Sequence, residues 1–172
     1  MNPAPPFTGP SASSALTAGK ILAVDYGRAR IGLAIADSLQ GIPQPFQTLV
    51  RINRNEDLRH LRELVRDNFV KFILVGLPLR LDGSRGEMAE ETERFAQRLH
   101  KQIGVPVEMA DERLTSWQAE RLLEVEFGRK SKQTSGASKK KGTGMITVDS
   151  VAATVILREY LDRVNSSARE AR

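Results

Sequence analysis

The sequence contains no cysteine and only two histidines, His60 and His100. The absence of cysteine excludes disulfides, a thiol nucleophile and a zinc site with cysteine ligands. Both histidines lie in segments with a helical pattern, where a position on the helix surface explains them. A metal ion in this protein would therefore have to be held by carboxylates, whose oxygen atoms suit Mg²⁺ or Mn²⁺.

Long apolar runs are also missing, and no stretch approaches the roughly 20 residues needed to span a bilayer. Apolar residues make up 40% of the chain and charged residues 27%, which is typical of soluble globular proteins. A length of 172 residues suits one domain with a hydrophobic core better than two. We therefore expect a soluble protein of one domain, without a membrane partner.

Negative charge is absent from one long segment, since no acidic residue occurs between Glu126 and Asp149. Six basic residues lie in that segment, which is more than the net charge of +5 of the whole chain. They are Arg129, Lys130, Lys132, Lys139, Lys140 and Lys141. The basicity is thus local, and it predicts one place where a polyanion could bind. A solvated insert that binds nothing is the alternative.

The remaining pattern predicts one folded domain at residues 20–164. Residues 1–19 are rich in Pro, Ser, Ala and Gly and are expected to form a disordered tail, and residues 165–172 a second tail. Apolar segments predict strands at residues 21–24, 31–36, 46–50, 71–76 and 105–110. Amphipathic spacing predicts helices at residues 55–68, 84–101, 115–126 and 148–164, with a flexible basic loop at 128–144.

The order of these elements indicates an α/β fold. Three strands in succession predict an antiparallel meander, and the strands that alternate with helices after it predict a mixed sheet with helices packed on it. Ser84 with Glu87, and Thr115 with Gln118, resemble capping boxes at the starts of two of the helices. No Walker A motif and no complete dinucleotide fingerprint is present.

Three acidic residues lie at the ends of predicted elements. Asp25 ends the first strand, Glu112 follows the last strand, and Asp149 opens the last helix. Each has a simple structural explanation: a turn residue, a loop carboxylate paired with Arg113, and an acid favoured by the helix dipole. Together they are three carboxylates in a chain that has no cysteine and only two histidines as other kinds of metal ligand. Divalent ions held by such acids can cleave phosphodiesters.

Four segments in this order resemble the YqgF family, also called RuvX, and the match extends from about residue 20 to residue 163. The segments are Val24-Asp25-Tyr26-Gly27 with Arg30-Ile31-Gly32-Leu33-Ala34, Gly76-Leu77-Pro78 with Asp82-Gly83, Asp111-Glu112-Arg113-Leu114-Thr115-Ser116, and Asp149-Ser150-Val151-Ala152-Ala153. The resemblance implies an RNase H-like fold similar to that of RuvC resolvases. It also implies a cytoplasmic nuclease that depends on Mg²⁺ or Mn²⁺ and acts in maturation of the 5′ end of 16S rRNA.

In the pattern of that family, the catalytic and metal-binding acids fall on Asp25, Glu112 and Asp149. Asp111 is the neighbour that could be confused with Glu112. Candidate nucleic-acid contacts are the basic residues near these acids and in the basic loop: Arg28, Arg30, Arg113, Arg129, Lys130, Lys132, Lys139, Lys140 and Lys141. The expected partner is precursor rRNA, with ribosomal particles as a further candidate, and the protein is expected to be a monomer or a homodimer.

Three other functions fit parts of the same pattern. A nuclease that resolves branched DNA would use the same carboxylates, because metal ions held by acids cleave either backbone. An RNA-binding factor in ribosome assembly would need no cleavage at all. An actin-like ATPase or sugar kinase also begins with an Asp-x-Gly turn after a buried strand, but it needs two such lobes and this chain has one.

Overall fold

The computed structural model describes residues 19–37, 41–112 and 146–170, with side chains described up to residue 167. The elements in chain order are β1 (Lys20–Tyr26), β2 (Arg30–Asp37), β3 (Gln44–Val50), α1 (Arg54–Asp67), β4 (Val70–Leu77), α2 (Glu87–Ile103), β5 (Val107–Asp111) and α3 (Val148–Glu170). Residues 1–18 of the predicted tail at 1–19, the predicted helix at 115–126 and the basic loop at 128–144 lie outside the described residues.

Five strands form one mixed sheet in the order β3-β2-β1-β4-β5. Strand β2 is antiparallel to both β1 and β3, whereas β4 is parallel to β1 and to β5. The predicted meander followed by parallel strands is therefore confirmed. Because β1, β3, β4 and β5 all run in the same direction, their C-terminal ends meet at one edge of the sheet, where sites assemble in such folds.

The sheet is covered on both faces, and alternate residues of β1 show which helices cover each face. Leu22 and Val24 belong to a core cluster with residues of α1 and α2. Ile21 and Ala23 belong to a second cluster with residues of α3. Side chains at odd-numbered positions of β1 therefore face α3, and Asp25 continues that row. No helix in the described ranges is long and apolar enough to span a membrane.

The predicted capping box at Ser84 is wrong, because α2 begins at Glu87 after the N-cap residue Gly86, which makes no side-chain cap hydrogen bond. The backbone of Ser84 is used by the preceding turn instead. Its N–H donates to Asp82 Oδ1, and its carbonyl accepts from the N–H of Arg80. These bonds hold the chain in a turn, so the helix starts three residues after Ser84.

The last helix differs from its prediction at the other end. It starts at Val148 as predicted, but it continues to Glu170 rather than ending near Val164. The residues expected to form a C-terminal tail are thus helical for one and a half further turns. Their polar composition hid this, since the sequence pattern that predicts a helix is an apolar stripe and residues 165–170 have none.

Candidate active site

Asp25 is the penultimate residue of β1, and its side chain is on the face of the sheet that α3 covers. It is paired with Gly32 in β2. The pKa of Asp25 is raised from 3.8 to about 6, mainly by burial and also by the negative charge of Asp149. A buried carboxylate with a second carboxylate close by is poorly solvated, and it would gain from a bound cation.

Gly32 allows α3 to begin directly against the sheet. A Cβ atom at this position would overlap the backbone carbonyl of Asp149, so only glycine permits this close approach. Since Gly32 is paired with Asp25, the contact also fixes Asp149 beside the end of β1. The absence of a side chain at Gly32 is thus what allows this close contact.

The start of α3 is capped by its own residues and tied to the edge strand β3. The hydroxyl of Thr147 accepts from the N–H of Ser150, and the hydroxyl of Ser150 accepts from the N–H of Thr147. The Thr147 hydroxyl also forms a hydrogen bond with that of Thr48 in β3. Thr48 is paired with Gly32. These bonds hold the first turn of α3, and so Asp149, in a fixed position over β2 and β3.

Glu112 follows the C-terminal end of β5 and reaches over β4. A Cβ atom on Gly76 of β4 would overlap Glu112 Oε1 and lie 2.6 Å from Cδ1 of Ile156 in α3. The Glu112 carboxylate therefore occupies the space above Gly76, on the same face as Asp25. The pKa of Glu112 is raised from 4.5 to about 7, mainly by burial and also by the negative charges of Asp25 and Asp111.

The three predicted acids therefore lie at the same edge and on the same face of the sheet, with Asp25 between the other two. Asp25 is electrostatically coupled to Asp149, and Glu112 to Asp25. Two glycines in the flanking strands, Gly32 and Gly76, make room for this arrangement. The sequence placed the acids at element ends, but it did not indicate that these glycines position them.

Arg30 and Arg28, both predicted to contact nucleic acid, are engaged by carboxylates of the chain. Arg30 Nε lies 2.8 Å from Asp149 Oδ2. Arg28 Nη2 lies 2.9 Å from Glu87 Oε1 and 2.8 Å from Glu91 Oε1. Both guanidinium groups remain more than half exposed. Arg113 and the six basic residues of the loop at 128–144 lie outside the described residues.

The donor atoms at this edge are carboxylate oxygens, which suit a hard divalent cation such as Mg²⁺ or Mn²⁺. Within residues 19–37, 41–112 and 146–170, however, no group of three or more His, Cys, Asp or Glu is arranged so that it could hold a metal ion. One of the three carboxylates, that of Asp149, is paired with Arg30. The carboxylate donors therefore suit a divalent cation, but the three carboxylates would have to move closer together to bind one.

Comparison with known proteins identifies the family. A model of the RuvX family, described as Holliday junction resolvase, matches residues 19–163. The chain belongs to the RuvX family. It is 41% identical over 145 residues to a protein of Koribacter versatilis (strain Ellin345) and 42% identical over 144 residues to one of Anaeromyxobacter sp. (strain K). These alignments cover 84% of this chain and 88% and 97% of the two relatives, both of which are named "Putative pre-16S rRNA nuclease".

Solved structures give the same fold for this RuvX chain. It resembles Thermus thermophilus RuvC in complex with a Holliday junction substrate, with a TM-score of 0.53 and 11% sequence identity. A second structure of Thermus thermophilus RuvC gives a TM-score of 0.51 and 10% identity. The matches cover 86% and 85% of this chain and 96% of each RuvC chain. The expected RNase H-like fold is thereby confirmed.

Proposed function

We propose that this protein is a metal-dependent nuclease that cleaves phosphodiester bonds during processing of the 5′ end of precursor 16S rRNA. The observation that carries the proposal is the placement of Asp25 between Glu112 and Asp149 at one edge of the sheet. Relatives about 40% identical over most of the chain carry the name of a nuclease for this RNA. A cytoplasmic location is part of the proposal, as the resemblance to this family implies.

In this proposal, Asp25, Glu112 and Asp149 are the catalytic acids and would hold Mg²⁺ or Mn²⁺. A cation bound there would activate water and stabilise the leaving oxygen of the phosphodiester. The residues of the chain hold these acids in place: Asp25 follows the fully buried residues of β1, and Asp149 lies in the capped first turn of α3. The chain also supplies burial, which weakens solvation of Asp25 and Glu112 and so favours the binding of a cation over the empty, charged site.

The proposed contacts with RNA combine the site arginines with the basic loop. Arg28, Arg30 and Arg113 would contact phosphates next to the cleaved bond, and Arg28 and Arg30 would exchange carboxylates of the chain for those phosphates. The loop residues Arg129, Lys130, Lys132, Lys139, Lys140 and Lys141 would hold the backbone further away. Replacing Lys139, Lys140 and Lys141 with alanine should then lower the salt dependence of RNA binding, by roughly 0.7 unit of log–log slope for each phosphate that is no longer neutralised.

The proposal is tested with a labelled precursor 16S rRNA that carries its 5′ extension, incubated with Mg²⁺, with Mn²⁺ or with EDTA. We expect cleavage with the cations and none with EDTA. Asp25→Asn should abolish cleavage, because asparagine keeps the shape of aspartate but loses the charge that holds a cation. Asp67→Asn is the matched control, since Asp67 is an exposed carboxylate paired with Arg66 at the far end of α1. Full activity of Asp25→Asn would overturn the proposed mechanism.

The description of the family model favours one second candidate, cleavage of branched DNA. The same assay with a labelled four-way DNA junction separates the two substrates. Cleavage of the junction at a higher kcat/KM than the precursor rRNA would make the junction the substrate. Tight RNA binding without cleavage under any metal condition would instead indicate a non-catalytic factor in ribosome assembly.

A further inference from the structure

A second polar cleft lies behind the acidic site, on the opposite face of the sheet. Tyr26 directly follows Asp25, so its side chain points toward α1 and α2, where its ring packs on Phe95 with centroids 4.6 Å apart. An open-sided cleft begins at this tyrosine, with a free space of about 230 Å³ that includes the solvent at its mouth. Its lining residues are Tyr26, Arg51, Arg54, Asp57, Leu58, Phe95 and Arg98.

One wall of the cleft is a buried ion pair. Arg51 Nε donates to Asp57 Oδ2 at 2.9 Å, and the side chains of Arg51 and Asp57 are only 17% and 4% exposed. The Arg51 guanidinium lies over the Tyr26 ring, 4.7 Å from its centroid, and donates to Tyr26 Oη and to the carbonyl of Gly27. The charge of Arg51 is thus compensated, and this residue serves to hold the cleft together.

The other two arginines of the cleft are uncompensated. Within the described part of the chain, neither Arg54 nor Arg98 forms an ion pair, unlike Arg28, Arg30 and Arg59. Among the described residues of the lining, the only acid is Asp57, which is already paired with Arg51. The lining therefore carries two surplus positive charges that point to an anionic ligand. The nearby carboxylates of Glu87 and Glu91 are paired with Arg28, on the β1–β2 turn.

The cleft opens at the same edge of the sheet as the acidic site. Strand β3 ends at Val50, which is paired with Arg30 at the start of β2. Helix α1 begins four residues later, at Arg54. A polymer bound at Asp25 could therefore pass over the β1–β2 turn and reach Arg54 without crossing the body of the protein. Guanidinium groups are the side chains best suited to bind phosphate oxygens at such a place.

We propose that this cleft binds a backbone phosphate of the RNA strand that is cleaved at Asp25, through Arg54 and Arg98. The inference rests on the proposed function and extends it, since it identifies a second point at which the substrate is held. The narrow, arginine-lined cleft suits phosphate oxygens. The contact would position the strand and would leave the sequence preference unchanged.

The test compares two double variants of the full chain that each remove two positive charges. Arg54→Gln/Arg98→Gln changes the cleft, and Lys20→Gln/Lys71→Gln removes two exposed charges at the opposite end of the sheet, where β1 and β4 begin. Binding of a labelled single-stranded RNA is titrated against salt in EDTA, so that no cleavage occurs. We expect the cleft variant to bind about tenfold more weakly at ~0.1 M salt, with a log–log slope that is shallower by about 0.7 unit, and little change in the control.

An unchanged slope in the folded cleft variant, with normal binding by the wild type, would overturn the cleft and leave the proposed nuclease intact. Failure of the wild type to bind RNA would overturn the proposed function instead. A second measurement makes the cleft testable on its own: arginine Nε–Hε signals in NMR spectra, titrated with a short oligonucleotide and with inorganic phosphate. Shifts of Arg54 and Arg98 with the oligonucleotide support the proposal, whereas shifts with inorganic phosphate alone would indicate a site for free phosphate and overturn it.

Discussion

Arg30 and Asp149 join the second strand to the last helix through an ion pair of 2.8 Å, beside the buried carboxylate of Asp25. The guanidinium group supplies positive charge at the place where two carboxylates would otherwise repel each other without compensation. It is 60% exposed, so it can leave this position without disturbing the core. Arg30 is thus suited to balance the negative charge of the site when no cation is bound, and to move away from Asp149 when a cation binds.

We therefore expect Arg30→Gln to bind Mn²⁺ more tightly than the wild type, by about threefold to tenfold, because the cation no longer competes with a guanidinium group for Asp149. The free energy of unfolding without metal should fall by less than about 1 kcal/mol, as is usual for an exposed ion pair. Calorimetric titration with Mn²⁺ and unfolding in urea measure the two effects. Arg28→Gln is the control, since its partners are Glu87 and Glu91. Weaker Mn²⁺ binding by Arg30→Gln would contradict the competition.

Asp25→Asn should make the metal-free protein more stable at pH 8 but not at pH 3.5. The pKa of Asp25 is near 6 in the folded protein and near 3.8 when it is exposed. At pH 3.5 the group is largely protonated in both states, so it contributes little. Between pH 3.8 and about pH 6, the exposed carboxyl of the unfolded chain releases its proton before the buried carboxyl of the folded protein does. The free energy of unfolding therefore falls by up to about 2 to 3 kcal/mol as the pH rises through this interval. Asparagine removes that loss, and urea unfolding across this pH range measures it. Equal stability of both proteins at pH 8 would contradict the raised pKa.

The stabilisation by Mg²⁺ or Mn²⁺ should likewise depend on pH. Asp25 and Glu112, with pKa values of about 6 and 7, must both be ionised to hold a cation. We expect a millimolar concentration of Mn²⁺ to raise the Tm at pH 8 by a few degrees and to have almost no effect at pH 5. Asp25→Asn should show no rise at either pH. An equal rise at both pH values would place the bound metal elsewhere in the protein.

Gly32→Ala should displace the start of α3 and disable the site. The added methyl group would meet the backbone carbonyl of Asp149, which cannot rotate away as a side chain could. Overpacking of this kind typically costs about 1 to 3 kcal/mol. Cleavage should decrease much more than stability, because catalytic groups tolerate displacements of only a fraction of an ångström. Thermal unfolding and kcat measure the two effects.

Gly86→Ala is the matched control for that variant. Its nearest neighbour would be the flexible side chain of Arg80, at 3.4 Å, so it should leave both stability and kcat close to those of the wild type. If Gly32→Ala proved as active as Gly86→Ala, close contact between α3 and β2 would not be needed for the reaction.

The buried ion pair beneath the arginine cleft should matter more for stability than the exposed pairs on α1. Asp57→Ala leaves Arg51 and the N–H of Ile52 without their carboxylate partner, and we expect a loss of about 3 kcal/mol in the free energy of unfolding. Glu63→Ala, which breaks an exposed pair with Arg59, should cost less than about 1 kcal/mol. A loss of under 1 kcal/mol for Asp57→Ala in urea unfolding would show that the pair is not a structural anchor.

The strands and the positions of the three acids could be predicted from the sequence because each depends on short-range patterns. Apolar runs indicated β1 and β4, and the family motifs indicated Asp25, Glu112 and Asp149 at the ends of elements. The start of α2 was missed, because a capping-box pattern at Ser84 is local and the turn around Asp82 uses the same backbone groups. The extension of α3 was missed because a polar stretch without proline or glycine can continue a helix and still show no apolar stripe.

The ion pairs of the site could not be predicted in the same way. Arg30 and Asp149 are far apart in the sequence, and their contact depends on how closely α3 packs on β2. The same holds for Arg28 with Glu91, and for Arg51 with Tyr26. In the sequence, a basic residue next to a proposed site suggests a contact with substrate. Only the folded structure shows which carboxylate of the chain already forms an ion pair with it.

Two of the three acids, Glu112 and Asp149, lie close to the two ends of the segment at residues 113–145. Its two attachment points are fixed independently of it: Glu112 by β5 and Asp149 by the contact of α3 with Gly32. Closing a longer connection between fixed points costs little, about 0.6 kcal/mol for each doubling of its length. A change in the number of residues between Glu112 and α3 should therefore leave the three carboxylates where β5 and the contact at Gly32 hold them.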